Sequence, residues 1–244
     1  MRRVLALLVS VALVVLPRLA AAKGKDAKED KGLQRLEVPG APPAYFYRPA
    51  VKGTKPVLMY LHGKGGHPAE DCKKWARVGT QFGWVVCPSG PEEAANGGRT
   101  WAGGDARRII DATMLALRAK FQGKVRKRGN ILIGFSEGAF VAMQVGLKDQ
   151  STWSKWLFLG ASDQYWQYDI SEALDPQKRK VRRVYLLTGQ NDQVAQNTVK
   201  VGALLKKSKV RHIVKIVPGL GHEVPSDKMI TTYRRPLLWL SADD

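Results

Sequence analysis

An α/β fold, with a mainly parallel eight-stranded sheet and helices on both faces, is the architecture this sequence predicts. Two observations predict it. From residue 33 to the end, short apolar runs alternate with longer amphipathic stretches, and such alternation folds as parallel strands joined by crossover helices. Several of the runs are apolar throughout rather than at every second position, as strands covered on both faces are. A chain of 244 residues with 44% hydrophobic and 25% charged residues has the size and composition of one ordinary globular domain.

The first 22 residues stand apart. Arg2 and Arg3 precede an apolar run from Val4 to Leu16, which is followed by Pro17 and by Ala20, Ala21 and Ala22. A basic start, a short apolar core and a small-residue exit describe a secretory signal, and the run is too short to span a bilayer comfortably. Residues 1–22 are therefore expected to be removed near Ala22, leaving a periplasmic or secreted protein. Residues 23–32, rich in lysine and acids and without apolar periodicity, are expected to be a flexible leader. Residues 33–244 form the single predicted domain.

Within it, Leu33–Val38 and Ala44–Arg48 flank a Pro-rich turn and predict an opening antiparallel hairpin. Val57–Leu61, Trp84–Cys87, Ile131–Phe135, Trp156–Leu159, Val184–Thr188 and Arg211–Val217 predict the remaining strands, each expected to be covered on both faces. Pro68–Gln81, Asp105–Phe121, Glu137–Leu147, Val194–Lys206 and Ser226–Leu240 carry helical periodicity. The connection from Ala161 to Lys180, about 20 residues long, leaves room for a minimal lid only.

Gly134-Phe-Ser136-Glu-Gly138 joins the Ile131–Phe135 strand to the helix after it. A G-x-S-x-G sequence in that context makes a sharp, strained turn that exposes the serine Oγ, with small flanking residues so that strand and helix can pass closely. Ser136 is the candidate nucleophile. The Glu137 N–H, at the start of the helix, is placed to meet a developing oxyanion. The loop His62-Gly-Lys64-Gly-Gly after the third strand offers the Lys64 N–H as a second oxyanion donor, with His62 as a hydrogen-bonding support. This loop lacks both G-x-G-x-x-G and Walker spacing, which argues against a nucleotide site.

Two more strands end in glycine turns that carry ionisable residues: Val184-Tyr-Leu-Leu-Thr-Gly189-Gln-Asn-Asp192 and Val217-Pro-Gly-Leu-Gly-His222. Ser136, Asp192 and His222 thus follow the order nucleophile, acid, base, and parallel strands bring their C-terminal loops to one sheet edge. Asp163, after the preceding strand, is the alternative acid. Of the four histidines, His62 and His67 precede the serine and His212 lies at the start of a strand, which leaves His222 as the candidate base. Trp101 and Trp166 either line an apolar acyl pocket or pack at the surface.

The segments Leu-His62-Gly-Lys-Gly-Gly, Cys-Pro88-Ser-Gly, Gly134-Phe-Ser136-Glu-Gly138-Ala, Gly189-Gln-Asn-Asp192 and Gly221-His222-Glu resemble the α/β-hydrolases. The branches they resemble are the phospholipase/carboxylesterase, dienelactone-hydrolase-like and polyhydroxybutyrate-depolymerase-type esterases. The resemblance runs from Val57 to Leu240. It implies a serine esterase acting on small ester substrates, thioesters or polyester oligomers through an acyl-enzyme, with no cofactor and no metal. Esterases of this kind often carry Gln after the nucleophile, where this chain has Glu137. A serine peptidase, and a non-catalytic hydrolase-like scaffold that binds anionic envelope polymers, are the competing readings.

The formal charge is +19, and removal of Arg2, Arg3 and Arg18 would leave the mature chain strongly basic. Lys124–Arg128, Lys178–Arg183 and Lys206–Arg211 each precede a predicted strand, so their charge is expected on the sheet edge opposite the catalytic loops. There it suits contact with an anionic lipid or glycan and no specific nucleic acid. In an exported protein the two cysteines, Cys72 and Cys87, are expected to pair.

Overall fold

The computed structural model describes residues 32–165 and 170–242. The predicted signal segment and Trp166 lie outside the described residues, as does the predicted leader except for Gly32. β1 (Gln34–Leu36) and β2 (Ala44–Tyr47) form the opening antiparallel pair, with Leu36 opposite Ala44. There follow β3 (Val57–Leu61), α1 (Pro68–Gly79), β4 (Trp84–Pro88), β5 (Glu92–Glu93), β6 (Arg99–Thr100) and α2 (Ala106–Lys120). The second half runs through β7 (Ile131–Phe135), α3 (Glu137–Lys148), β8 (Lys155–Leu159), α4 (Ile170–Ala173), β9 (Arg183–Gly189), α5 (Ala195–Lys207), β10 (His212–Val217) and α6 (Met229–Ser241).

Eight strands make one sheet in the order β1-β2-β4-β3-β7-β8-β9-β10. β2 pairs antiparallel with β1 and β4, and the other neighbours are parallel. The side-chain alternation of a strand divides the core into two layers. Met59, Leu132, Phe158 and Leu186 face α2, α3 and α5, where they meet Leu117, Ala142 and Val201. Leu58, Ile133, Leu157 and Leu187 face α1 and α6, where they meet Trp75, Tyr233 and Leu237. The helix ends obey elementary capping rules. Asp105 accepts from the Arg108 N–H at 3.1 Å to start α2, and Arg118 and Lys120 stand in its last turn, where they meet the negative end of the helix dipole.

The structure departs from the sequence reading in three places. β10 is the outer strand of the sheet, and Ile216 on it is 40% exposed. An edge strand lacks a neighbour to complete its cover, so its apolar run is not buried on both faces as expected. β5 and β6 form a separate antiparallel ribbon that two-residue strands leave without a periodic signal. Cys72 and Cys87 are free, buried thiols rather than a disulfide. The Cys72 thiol donates to the Tyr45 carbonyl at 3.4 Å, and burial pushes the Cys87 thiol well above its ordinary pKa, with Cys72 beside it adding to the shift. Both behave as small apolar core residues.

Candidate active site

Six parallel strands place their C-terminal loops on one edge, and the site is built there. Ser136 stands between β7 and α3 with φ 53° and ψ −120°, a left-handed conformation that non-glycine residues rarely adopt. The glycines on either side permit it. A Cβ on Gly134 would lie 2.3 Å from the Gly138 carbonyl oxygen, and one on Gly138 would lie 2.1 Å from the Leu61 carbonyl oxygen. Strand, turn and helix are therefore in backbone contact, and β3 closes behind them. Gly138→Ala forces backbone atoms apart and should cost about 1–3 kcal/mol or more, read as a lowered melting temperature.

Ser136, His222 and Asp192 meet in a hydrogen-bonded chain. The serine Oγ–H donates to His222 Nε2 at 2.8 Å, and His222 Nδ1–H donates to the Asp192 carboxylate, with 2.9 Å to each oxygen. The proton belongs on Nδ1 because an ionised carboxylate only accepts. The Asp192 side chain is 2% exposed and that of His222 is 30% exposed, so the acid is enclosed while the imidazole reaches the surface of the cleft. Two groups fix the carboxylate further. The Thr188 hydroxyl donates to Oδ2 at 3.0 Å, and the Val194 N–H donates to Oδ1 at 2.9 Å. The Phe135 ring lies 4.9 Å from the imidazole. Asp163 is occupied elsewhere, accepting from the Asn197 amide at 2.8 Å.

The cleft at Ser136 measures about 420 Å3. Lys64, Glu137 and His222 line it beside the serine, Phe140 and Val194 give it an apolar wall, and Ser162 and Gln193 add polar groups. Lys64 and Glu137, the two residues expected to supply oxyanion donors, thus both border the cleft beside the serine. The Glu137 carboxylate is anchored away from free solution. It accepts from the Thr100 hydroxyl at 2.8 and 3.0 Å and from the Trp101 N–H at 3.1 Å. Glu137→Leu would leave those two donors without their acceptor and should destabilise the fold by about 1–3 kcal/mol. Glu137→Gln keeps an acceptor oxygen and should cost less than half as much in parallel melting experiments.

Trp101 is not a wall of this cleft. It is 5% exposed, its indole N–H donates to the His62 carbonyl at 2.9 Å, and its ring stacks on the His62 imidazole with 5.0 Å between centroids. Its expected role in an acyl pocket is corrected to support of the His62 loop: an indole whose N–H and face are both satisfied by that loop is held inside the protein. His62 is itself a support. Its Nδ1–H donates to the Gly63 carbonyl at 2.8 Å, and its Nε2 accepts from the Gly90 N–H at 3.0 Å.

Burial pushes the His62 pKa below its ordinary value, so the folded protein holds the ring neutral. Below about pH 6.5 the unfolded chain binds this proton more readily than the folded one. The stability that His62 contributes is present above that pH and is lost as the pH falls through its folded value. Melting temperatures should therefore decline between pH 7.5 and 5, and His62→Asn should flatten that decline.

Thr188 and Phe135 were not foreseen as parts of the site, nor was the anchoring of Glu137 by Thr100 and Trp101. Thr188 lies four residues before Asp192 at the end of a buried strand, a position that carries no signal of its own.

No protein-family model matches the chain, and a search of curated proteins finds no match. Solved structures do match. The fluorophosphonate-binding serine hydrolase FphF of Staphylococcus aureus is 14% identical with a TM-score of 0.63, over 86% of this chain and 98% of that one. An S-formylglutathione hydrolase from Agrobacterium tumefaciens is 16% identical with a TM-score of 0.65, over 86% and 93% of the two chains. A Pyrobaculum calidifontis esterase is 13% identical with a TM-score of 0.60, over 86% and 84%. Together with the eight-stranded sheet and its strand order, these similarities show that the chain has the α/β-hydrolase fold.

Proposed function

We propose that the protein is a serine esterase that cleaves small carboxylic esters or thioesters through an acyl-enzyme. The observation that carries this reading is the unbroken chain from Ser136 through His222 to Asp192, on a strained turn at the mouth of a cleft. His222 Nε2 takes the Ser136 proton as Oγ attacks the carbonyl carbon, and Asp192 holds the imidazole tautomer and stabilises the imidazolium. The tetrahedral oxyanion is met by the backbone N–H groups of Lys64 and Glu137, the latter aided by the N-terminus of α3. The imidazolium then returns its proton to the leaving group. Water, deprotonated by the same His222, releases the acid and regenerates the serine.

The size of the cleft and its Phe140–Val194 wall favour short to medium acyl groups, and the fold likeness to an S-formylglutathione hydrolase supports including thioesters. Export through the 1–22 segment is part of the same proposal, and N-terminal sequencing of the secreted protein would find a start near Lys23.

A fluorophosphonate probe tests the reading directly, because it labels only an activated serine. Labelling at Ser136, with hydrolysis of p-nitrophenyl acetate and butyrate, is the expected result. An unlabelled protein that hydrolyses neither ester would leave a binding scaffold instead, and turnover of peptides without esters would leave a peptidase.

A further inference from the structure

Lys64 and Glu137 each bring to the cleft a backbone N–H with no acceptor among the described residues, and the two lie on separate segments. The Glu137 N–H is the first of α3, where no helical carbonyl stands one turn earlier to accept it. Lys64 belongs to the loop between β3 and α1, whose later polar groups are spent. The Gly65 N–H donates to the Arg99 carbonyl at 2.9 Å and the Gly66 N–H to the Gly63 carbonyl at 3.0 Å. The Gly65 carbonyl accepts from the Asn96 amide at 3.0 Å, and the Gly66 carbonyl from the Arg99 N–H at 2.8 Å. Two donors serve one oxyanion only if both keep within about 0.2 Å of ideal hydrogen-bonding distance from the place where its oxygen develops, so something must fix one segment against the other.

The end of the β5–β6 ribbon grips both. On one side, the backbone of Arg99 carries Gly65 and Gly66, and its guanidinium donates to the carbonyls of Gly90 at 2.9 Å and Pro91 at 2.6 Å. The Gly90 N–H returns to His62 Nε2. On the other side, the next two residues hold α3 by its first side chain: the Thr100 hydroxyl and the Trp101 N–H both donate to the Glu137 carboxylate. Trp101 closes the circuit, because its indole N–H donates to the His62 carbonyl and its ring stacks on the imidazole. The backbones in this circuit touch. A Cβ on Gly98 would lie 2.2 Å from the Gly65 carbonyl oxygen, and one on Gly90 would lie 2.2 Å from the Thr100 carbonyl oxygen. The loop also runs against the nucleophile, since a Cβ on Gly63 would lie 3.3 Å from that of Ser136.

We propose that residues 99–101 set the spacing of the two oxyanion donors, with Trp101 and the side chain of Glu137 as positioning residues; this rests on the esterase reading above. The carboxylate next to the nucleophile thereby gains a use. Three hydrogen-bond contacts turn it toward β6, and its own backbone N–H is one of the two groups that it helps to place. A hole held rigid before reaction needs no rearrangement when charge develops on the oxygen, and a displacement of about 1 Å costs about 100-fold in rate. The effect belongs to the transition state, so it enters kcat and leaves substrate binding alone.

The test compares Trp101→Phe, Glu137→Ala and Glu137→Gln with wild type in hydrolysis of p-nitrophenyl butyrate. Fluorophosphonate labelling, carried to completion, counts competent sites, so that kcat refers to folded enzyme alone. Trp101→Phe keeps a ring for His62 but loses the bond to its carbonyl, and Glu137→Ala releases Thr100 and Trp101. Both should lower kcat per site by about 10- to 100-fold, with KM within twofold of wild type. A butyl trifluoromethyl ketone gives the second readout. Ser136 Oγ adds to its carbonyl carbon, the proton passes to His222, and the carbonyl π pair becomes an oxyanion in the hole. Its inhibition constant should rise by the same factor as kcat falls. The acid limb of the kcat/KM profile should not move in Trp101→Phe, because His222 keeps its partners. Glu137→Gln keeps an accepting oxygen for the Trp101 N–H and should restore kcat to within threefold of wild type. Unchanged kcat per site in both Trp101→Phe and Glu137→Ala would overturn the proposal while leaving the esterase intact. So would a loss confined to the number of competent sites, or a raised KM at constant kcat. A wild-type protein that neither labels nor hydrolyses the ester would remove the esterase reading itself, and the proposal with it.

Discussion

Replacing Ser136 with alanine is expected to lower kcat for ester hydrolysis by about 10^4-fold or more and to abolish fluorophosphonate labelling. The size follows from the proposed acyl-enzyme route, on which the next steps depend. With Oγ gone there is no acyl-enzyme, and His222 can only activate water from a position built for a serine 2.8 Å away. What survives is whatever the Lys64 and Glu137 N–H groups contribute to water attack on a bound ester. The fold should not suffer, because alanine at φ 53° meets the same backbone strain as serine and no new atom is added. A melting temperature within a few degrees of wild type, with turnover lost, separates a chemical effect from a structural one. Hydrolysis that continued at the wild-type rate would remove Ser136 from the mechanism.

How far the site was legible depends on what kind of interaction makes each part. Ser136 was legible because its turn demands small residues at two fixed positions, and Gly134 and Gly138 satisfy a backbone contact that any Cβ would break. Asp192 and His222 were legible because strands that end in glycine turns deliver their next polar residue to a known edge. The partners of those residues were not legible. Thr188 reaches Asp192, and Glu137 reaches Thr100 and Trp101, through side-chain geometry that leaves no spacing rule in the chain. Trp101 belongs with them: an indole suits a pocket wall or a surface contact equally, and only its stacking on His62 shows that it is held inside the protein. The basic runs announced the charged edge, but the bonds that join its loops, from Lys180 to Gln150 and from Arg179 to Ser208 and Lys209, leave no spacing rule in the chain.

The second large effect is expected from Asp192→Asn. The carboxylate accepts three kinds of donor at once: the Thr188 hydroxyl, the Val194 N–H and His222 Nδ1–H. An amide of the same shape has one accepting oxygen and one donating NH2. With the oxygen taken by Thr188 or Val194, the NH2 is turned toward Nδ1, which must then be unprotonated to accept it. The neutral ring now carries its proton on Nε2, facing Ser136 Oγ, and has nothing with which to remove the serine proton. Turnover should fall by about 10^4-fold, with melting temperature little changed because the shape is kept. Thr188→Val is the informative companion. It removes one of the three donors but leaves the charge, so the Nδ1–H tautomer survives and the loss should be about tenfold or less. If Asp192→Asn and Thr188→Val were equally mild, the carboxylate would be a structural anchor of the β9 turn, and the tautomer argument would fail even though Ser136 and His222 remained in contact.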